Sequence, residues 1–334
     1  MEEGVSFWKG KRVVITGGAG FIGSNLSKDL VREGALITII DNFERGRREY
    51  ISTTRPPWRV IEGDLKDLSF CKAAISPKTD IVIHMASKVG GIGLYTSSPY
   101  TVMSENILID ANVLRAVLFN NIKRYFYASS AHIYPKELQG TPNSPAITED
   151  QGYPAACELS YGWAKLISEK EIEYALVENP NLHVAIARYI GIYGENQDFD
   201  FQTGSCIPVF TTRAIKYPEV PFTVWGTGKE TRSYCFIDDA IQCTKIMIEK
   251  MEEWQQVGPY NVGKQERISI GQLAELVIEI TGKDIPIEFD LTKETFIWGQ
   301  WCNCQKAKEE INFEAKTTLQ DGLRRVYNDI RERI

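Results

Sequence analysis

No run of apolar residues in this 334-residue chain approaches the length of a membrane span, no block of basic charge is concentrated, and no paired-cysteine framework is evident. Each absence excludes a class. Without a span, and without an apolar stretch in Met1 to Lys9, where Glu2 and Glu3 stand, the reading is a soluble, cytoplasmic protein that uses no membrane. The 7 cysteines (71, 157, 206, 235, 243, 302, 304) are scattered singly apart from Cys302-Asn303-Cys304. That one-residue spacing suits neither a redox pair nor a zinc knuckle, so reduced thiols and no structural metal are expected. The densest basic cluster, Arg45 with Arg47 and Arg48, is short and beside acidic residues in a chain of net charge -6, which argues against a nucleic-acid partner. No internal repeat or low-complexity segment occurs.

What is present reads as an ordinary globular chain, 43% hydrophobic and 25% charged, able to bury a large core. Short β-rich apolar runs predict strands at Arg12–Thr16, Leu36–Asp41, Arg59–Glu62, Asp80–His84, Arg124–Ala128 and His183–Arg188. Between them, apolar residues at three- and four-residue intervals predict helices near Gly20–Glu33, Leu68–Ala74, Pro99–Asn120 and Ser160–Glu178. Alternation of this kind predicts an α/β fold, a Rossmann-type doubly wound parallel sheet over residues 1–188 with a return segment near 234–262. Residues 189–334 turn to Gly, Pro and aromatic-rich loops with short helices near Pro208–Ile215, Asp238–Lys250, Ile270–Ile280 and Leu319–Ile330. This texture predicts a smaller, mixed substrate-binding cap.

The first predicted strand runs into Gly17-Gly18-Ala19-Gly20-Phe21-Ile22-Gly23 and then a helix. Gly17 suits the tight turn, Gly20 the approach of a pyrophosphate and Gly23 close helix-to-sheet packing, with Phe21 and Ile22 opening the helix whose N-terminus meets the anion. The second strand ends at Asp41-Asn42, where a carboxylate would accept bonds from ribose hydroxyls and repel a 2'-phosphate. NAD is therefore expected over NADP. Asp64-Leu65 is placed to meet the adenine, although Asp64 reads equally well as a helix N-cap before Lys66-Asp67-Leu68. Met85-Ala86-Ser87 would line the cofactor floor.

Tyr127-Ala128-Ser129-Ser130 closes the fifth strand, and Tyr161-Gly162-Trp163-Ala164-Lys165 lies in a helical stretch. Four-residue spacing puts Tyr161 and Lys165 on one face, one turn apart, so an ammonium can favour the phenolate form of a proton-exchanging phenol. With the glycine turn upstream, these residues resemble the extended short-chain dehydrogenase/reductases, the NAD-dependent epimerase/dehydratase family, along nearly the whole chain. Asn121 to Pro135 and Trp225 to Ser233 are most similar to the GDP-mannose 3,5-epimerases, and Lys88-Val89-Gly90-Gly91-Ile92 is similar to a loop of the GDP-L-fucose synthases. The resemblance implies bound NAD, a Ser130, Tyr161 and Lys165 redox triad, Arg232 on the diphosphate of a nucleotide-sugar, GDP-linked by analogy, and substrate contacts from Lys88, Gly90 and Gly91. It also implies a homodimer packed through the Pro99–Asn120 and Ser160–Glu178 helices.

The chain departs from those relatives at defined places. His132 stands where they carry an acid/base cysteine, Ser205 where they carry a lysine or histidine, Gly191 before Ile192-Tyr193 where they carry an asparagine, and Gln300 in place of a late phosphate-binding arginine. Imidazole titrates near neutrality, so His132 is the candidate acid/base group, whereas His84, inside a strand, and His183 read as structural. Ala131-His132 also replaces the Asp-Glu pair of the family's 4,6-dehydratases, which ranks dehydration low. The expected activity is a nucleotide-sugar epimerase working through a transient 4-keto sugar. A simple 4-epimerase, a 4-dehydrogenase and a non-catalytic NAD-binding scaffold stay open as alternatives.

Overall fold

The computed structural model describes residues 6–52, 58–293 and 297–334; Glu2 and Glu3 lie outside the described residues. In chain order its first part holds β1 (Arg12–Thr16), α1 (Phe21–Arg32), β2 (Leu36–Asp41), α2 (Arg48–Ile51), β3 (Trp58–Glu62), α3 (Leu68–Ala74) and β4 (Ile81–His84). It continues with α4 (Ile92–Ser97), α5 (Pro99–Phe119), β5 (Arg124–Ser130), a 3-10 turn at Ala131–Ile133, α6 (Ser160–Glu178) and β6 (His183–Tyr189). The remainder carries β7 (Ile192–Tyr193), α7 (Cys206–Lys216), β8 (Thr223–Trp225), β9 (Thr231–Arg232), β10 (Cys235–Phe236), α8 (Ile237–Lys250) and β11 (Gln256–Val262). It ends with β12 (Ile268–Ser269), α9 (Ile270–Thr281), β13 (Glu288–Asp290), β14 (Gly299–Gln300), α10 (Gln305–Ile311) and α11 (Leu319–Arg333).

Seven of these strands form one parallel sheet in the order β11-β6-β5-β4-β1-β2-β3. The Val and Ile runs suit strands covered on both faces, and successive side chains alternate between two cores. Val13, Ile15, Ile37, Ile39, Ile81, Ile83 and Phe126 pack on the side of α1 and α8. Val14, Ile40, Val82, Tyr125 and Tyr127 pack on the side of α3, α5 and α6. The strand order reverses between β1 and β4, and at such a switch point the carboxyl ends of the two strands part to leave a crevice. The predicted strands and helices are present with ends moved by up to three residues, the largest shift being the end of α11 at Arg333. β5 runs on through Ser129 to Ser130, which makes Ser130 the last residue of the strand. Gln256–Val262, for which no strand is predicted, adds the seventh strand beside β6.

Beyond the sheet, three small sheets pair β10 with β7, β12 with β9 and β14, and β13 with β8. These short pairs, with α7, α9 and α11, close over the carboxyl end of the large sheet, and Phe210, Phe222, Leu273 and Val326 share its first core.

Candidate active site

The crevice between β1 and β4 is a cleft of about 560 Å³, walled among others by Gly17, Gly20, Phe21, Ile22, Gly23, Asp41, Asn42, Asp64, Leu65, Ala86, Tyr161 and Lys165. Its backbone requires glycine. Gly17 has φ +66°, and a Cβ there would lie 2.8 Å from the backbone of Ala86. A Cβ on Gly23 would lie 2.3 Å from the Gly17 carbonyl oxygen. α1 opens at Gly20 with no side-chain cap, which leaves first-turn amides for an anion in the cleft.

Asp41, 7% exposed at the end of β2, holds the turn together: its carboxylate accepts from Ala19 N at 3.0 Å and from Phe43 N at 2.9 Å. Burial pushes its carboxyl above the usual range, against the pull of those backbone bonds. Each carboxylate oxygen keeps acceptor capacity for a ribose hydroxyl. Asn42 Oδ1 accepts from Glu44 N at 3.0 Å and shapes the loop that follows, and Arg45, also in the cleft wall, pairs with Asp198 at 2.9 Å. Asp64 lines the cleft and accepts from Lys66 N at 2.9 Å. The N-cap reading of Asp64 is corrected: Asp67 caps α3, accepting from Ser69 N and Phe70 N.

The second cluster meets the cleft at its far end. Tyr161 and Lys165 rise from the first turns of α6, and Ser130 ends β5. Gly162 is what permits this approach, because a Cβ there would lie 2.0 Å from the carbonyl oxygen of His132. Burial and, after it, the Asp110 charge raise the Tyr161 phenol, and hydrogen bonding with Ser87 and Ser130 opposes that rise. Ser87, read from the sequence as part of the cofactor floor, lines the cleft and is fixed by donating to Asn106 Oδ1 at 2.6 Å. Lys165 Nζ stands 5.9 Å from the Tyr161 ring centre, 4.7 Å above the Tyr127 ring and 3.5 Å from Asp110 Oδ2. Burial lowers its ammonium and Asp110 opposes that lowering. The expectation that His84 only packs in its strand is also corrected. Its ring bonds Thr16 Oγ1 at 2.6 Å and Asp110 Oδ1 at 2.9 Å, fully buried.

His132 stands on the 3-10 turn after β5, its N–H donating to Ser130 Oγ at 3.2 Å. Its ring meets Tyr161 edge-on with centres 5.8 Å apart. Burial lowers the imidazole to about 4, with the Arg232 charge acting in the same sense. Tyr95, on the short α4, stacks on Tyr161 at 5.6 Å and accepts from Gly90 N at 3.4 Å, a site neighbour that the sequence reading missed. A six-residue helix between two glycines and a proline has no periodicity to reveal it.

The expected substrate contacts divide. Arg232 on β9 and Gln300 on β14 are register partners. Arg232 is tied to the carbonyls of Thr231 and Ile297, each at 2.8 Å, and Gln300 Nε2 is a buried donor with no partner among the described residues. Ser205 and Gly90 line the cofactor cleft, whereas His132, Gly91, Arg232 and Gln300 are not among its walls. Ser205 Oγ accepts from Gln197 Nε2 at 2.9 Å, and Gly91 opens α4. Lys88 also lines the cleft, its ammonium paired with Glu44 at 2.7 Å and Glu105 at 3.1 Å.

Residues 13–263 match the NAD dependent epimerase/dehydratase family. Among curated proteins the chain is 27% identical to GDP-mannose 3,5-epimerase of Arabidopsis thaliana, covering 99% of this chain and 86% of that one. It is 29% identical to UDP-glucuronic acid decarboxylase 2 of the same plant, covering 98% and 69%. The fold is similar to UDP-glucose 4-epimerase of Thermotoga maritima, with a TM-score of 0.84 at 23% identity over 96% of this chain and 99% of that one. The glycine turn, the acidic end of β2 and the Ser130, Tyr161 and Lys165 cluster stand within the matched span, and the chain belongs to the NAD dependent epimerase/dehydratase family of enzymes, with NAD as its cofactor.

Proposed function

We propose that this enzyme is a nucleotide-sugar epimerase that works through a transient 4-keto sugar, in the manner named for its GDP-mannose 3,5-epimerase relatives. The observation that carries the reading is His132 set edge-on against Tyr161 at 5.8 Å, which puts a second acid/base group beside the redox phenol. Bound NAD supplies the hydride acceptor and donor. Tyr161 exchanges the proton of the C4 hydroxyl, Ser130 and Ser87 are its hydrogen-bonding neighbours, and the Lys165 ammonium lies 5.9 Å from its ring centre. Oxidation at C4 acidifies the neighbouring C–H bonds, and a ring that is neutral at working pH accepts such a proton. Arg232 and the unpartnered Gln300 amide, in register on neighbouring strands, suit the diphosphate.

Turnover in deuterium oxide with GDP-mannose, UDP-glucose and UDP-glucuronate, followed by mass spectrometry of the recovered sugar, tests this. The expected result is solvent deuterium at C3 or C5, lost in His132→Asn while that variant still reduces bound NAD. Inversion at C4 with no deuterium makes the enzyme a simple 4-epimerase. Accumulation of a keto sugar with stoichiometric NADH makes it a 4-dehydrogenase, and release of carbon dioxide makes it a decarboxylase.

A further inference from the structure

Among the described residues the ion-pair partner of the Lys165 ammonium is a carboxylate absent from the triad. Asp110, on α5, is 2% exposed, and its Oδ2 lies 3.5 Å from Lys165 Nζ. The same oxygen accepts from Tyr127 Oη at 2.6 Å and from Ser168 Oγ at 2.9 Å, while Oδ1 meets His84 Nε2 at 2.9 Å. His84 Nδ1 meets Thr16 Oγ1 at 2.6 Å, and Thr16 Oγ1 accepts from Ala86 N at 3.3 Å. One protonation pattern satisfies every member: an ionised Asp110, a charged Lys165, and a neutral His84 that donates from Nε2 and accepts the Thr16 hydroxyl proton at Nδ1. The net charge of that buried set is zero.

We propose that Asp110 is a positioning residue of the redox site, the buried counter-charge that keeps Lys165 an ammonium in place under Tyr161, with His84 and Thr16 tying that carboxylate to the strand leading into the glycine turn. The inference rests on the reading of Tyr161 and Lys165 as the redox pair. An ammonium removed from water without a counter-charge gives up its proton, and a neutral amine no longer favours the phenolate. The other groups facing the pair do not take over this role. Glu169, one turn along α6, also favours the Lys165 ammonium, less than Asp110 does, but is committed to Arg188 through two bonds of 3.0 and 2.7 Å and accepts from Ser129. Tyr125 and Glu171 feel the Asp110 charge and are themselves raised by burial first and by that charge second. Tyr127 and Tyr161 offer Lys165 ring faces, and the Asp110 charge by itself raises the Tyr161 phenol, so its help to the phenol runs through Lys165 alone. The Asp110 carboxyl is raised by burial, and Lys165, His84 and Tyr127 outweigh that and bring it to about 2.

The test uses the full-length, NAD-bound protein with carbon-13 at lysine Cε, the Lys165 signal being assigned by its loss in Lys165→Met. Asp110→Asn should lower the Lys165 titration by more than about one pH unit, and Asp110→Glu should restore it. In the same variants, reduction of bound NAD by GDP-mannose, or by UDP-glucose where GDP-mannose is inert, is followed against pH. Asp110→Asn should lower its rate by about tenfold or more at neutral pH with recovery at higher pH and little change in KM. Should Asp110→Asn fail to fold, Tyr127→Phe, which takes one competing donor from a carboxylate that stays ionised, should raise the Lys165 titration, and a fall in that variant would overturn the proposal. A Lys165 titration that coincides in wild type and variant overturns the proposal, whatever the loss of stability. A shifted titration with an unchanged pH profile of NAD reduction keeps the pairing and overturns the redox reading of Tyr161 and Lys165.

Discussion

At the scale of the residue, Tyr161 combines a buried ring with one hydroxyl that faces Ser87 and Ser130. Tyr161→Phe keeps the ring and deletes the proton, so turnover should fall by about 10²-fold or more while NAD affinity changes little. Steady-state kinetics beside a direct NAD titration checks this, and retained turnover removes the phenol from the chemistry. His132 makes a second prediction, about stability. In the unfolded chain its imidazole titrates near ~6.5, and in the folded chain near about 4, because burial and the Arg232 charge both favour the neutral ring. Between those values the unfolded state binds the proton and the folded state does not. The contribution is therefore fully present above the unfolded value and lost as pH falls through the folded one. Buried carboxyls such as Asp41 and Glu149, raised by burial, act in the opposite sense, so the quantity to read is the difference between wild type and His132→Asn. Denaturant midpoints from neutral pH down to about pH 4 should decline less steeply in the variant. Parallel curves would show that the His132 ring titrates alike in the folded and the unfolded chain.

At the scale of the element, the site depends on α6 coming down on the turn after β5. Gly162→Ala places a methyl 2.0 Å from the His132 carbonyl oxygen, backbone against backbone. Helix propensity alone favours alanine by about 1 kcal/mol, but overpacking costs about 1–3 kcal/mol, so the net effect should be destabilising. Since α6 must also withdraw from Ser130 and His132, turnover should fall with little change in NAD binding; a stabilised, active variant would show that the helix has room. Such a close approach is invisible in sequence, where Gly162 is only a weak helix former. By contrast β1, β2, β4 and their helices were legible, because β-branched runs and three-to-four spacing depend on neighbours along the chain. So was the glycine turn, whose spacing reflects a local backbone demand. Tyr95 and Asp110 were not, because each is defined by what a distant strand or helix brings to it, and Ser87 was legible as cofactor floor but not as a neighbour of the Tyr161 phenol. His84 was misread for the same reason: a strand position says it is buried, but its partners Thr16 and Asp110 come from two other elements.

At the scale of the whole molecule, α5 and α6 lie side by side with apolar residues on their outer faces as well as inward. Leu108 and Phe119 on α5, and Trp163 and Tyr174 on α6, are each about three helical turns apart, which puts each pair on one face. All four are exposed, Phe119 at 62% and Tyr174 at 65%. Arg115 stands between the α5 pair and Lys170 and Glu171 between the α6 pair, so these are mixed stripes, apolar at their ends and charged between, on neighbouring helices. We propose that two copies of the chain pack these helices together about a two-fold axis, an isologous contact in which each stripe meets its counterpart. Sedimentation velocity at micromolar concentration should give twice the chain mass, and Tyr174→Asp should shift it toward the monomer, because a carboxylate at the centre of such a contact loses its water twice, once from each copy. The substitution is far from the cleft and on the surface of one copy, so the single chain should lose no more than about 0.5 kcal/mol and still bind NAD. A wild-type monomer under those conditions sinks the two-fold arrangement. A dimer that Tyr174→Asp leaves intact places its contact on a face other than α5 and α6.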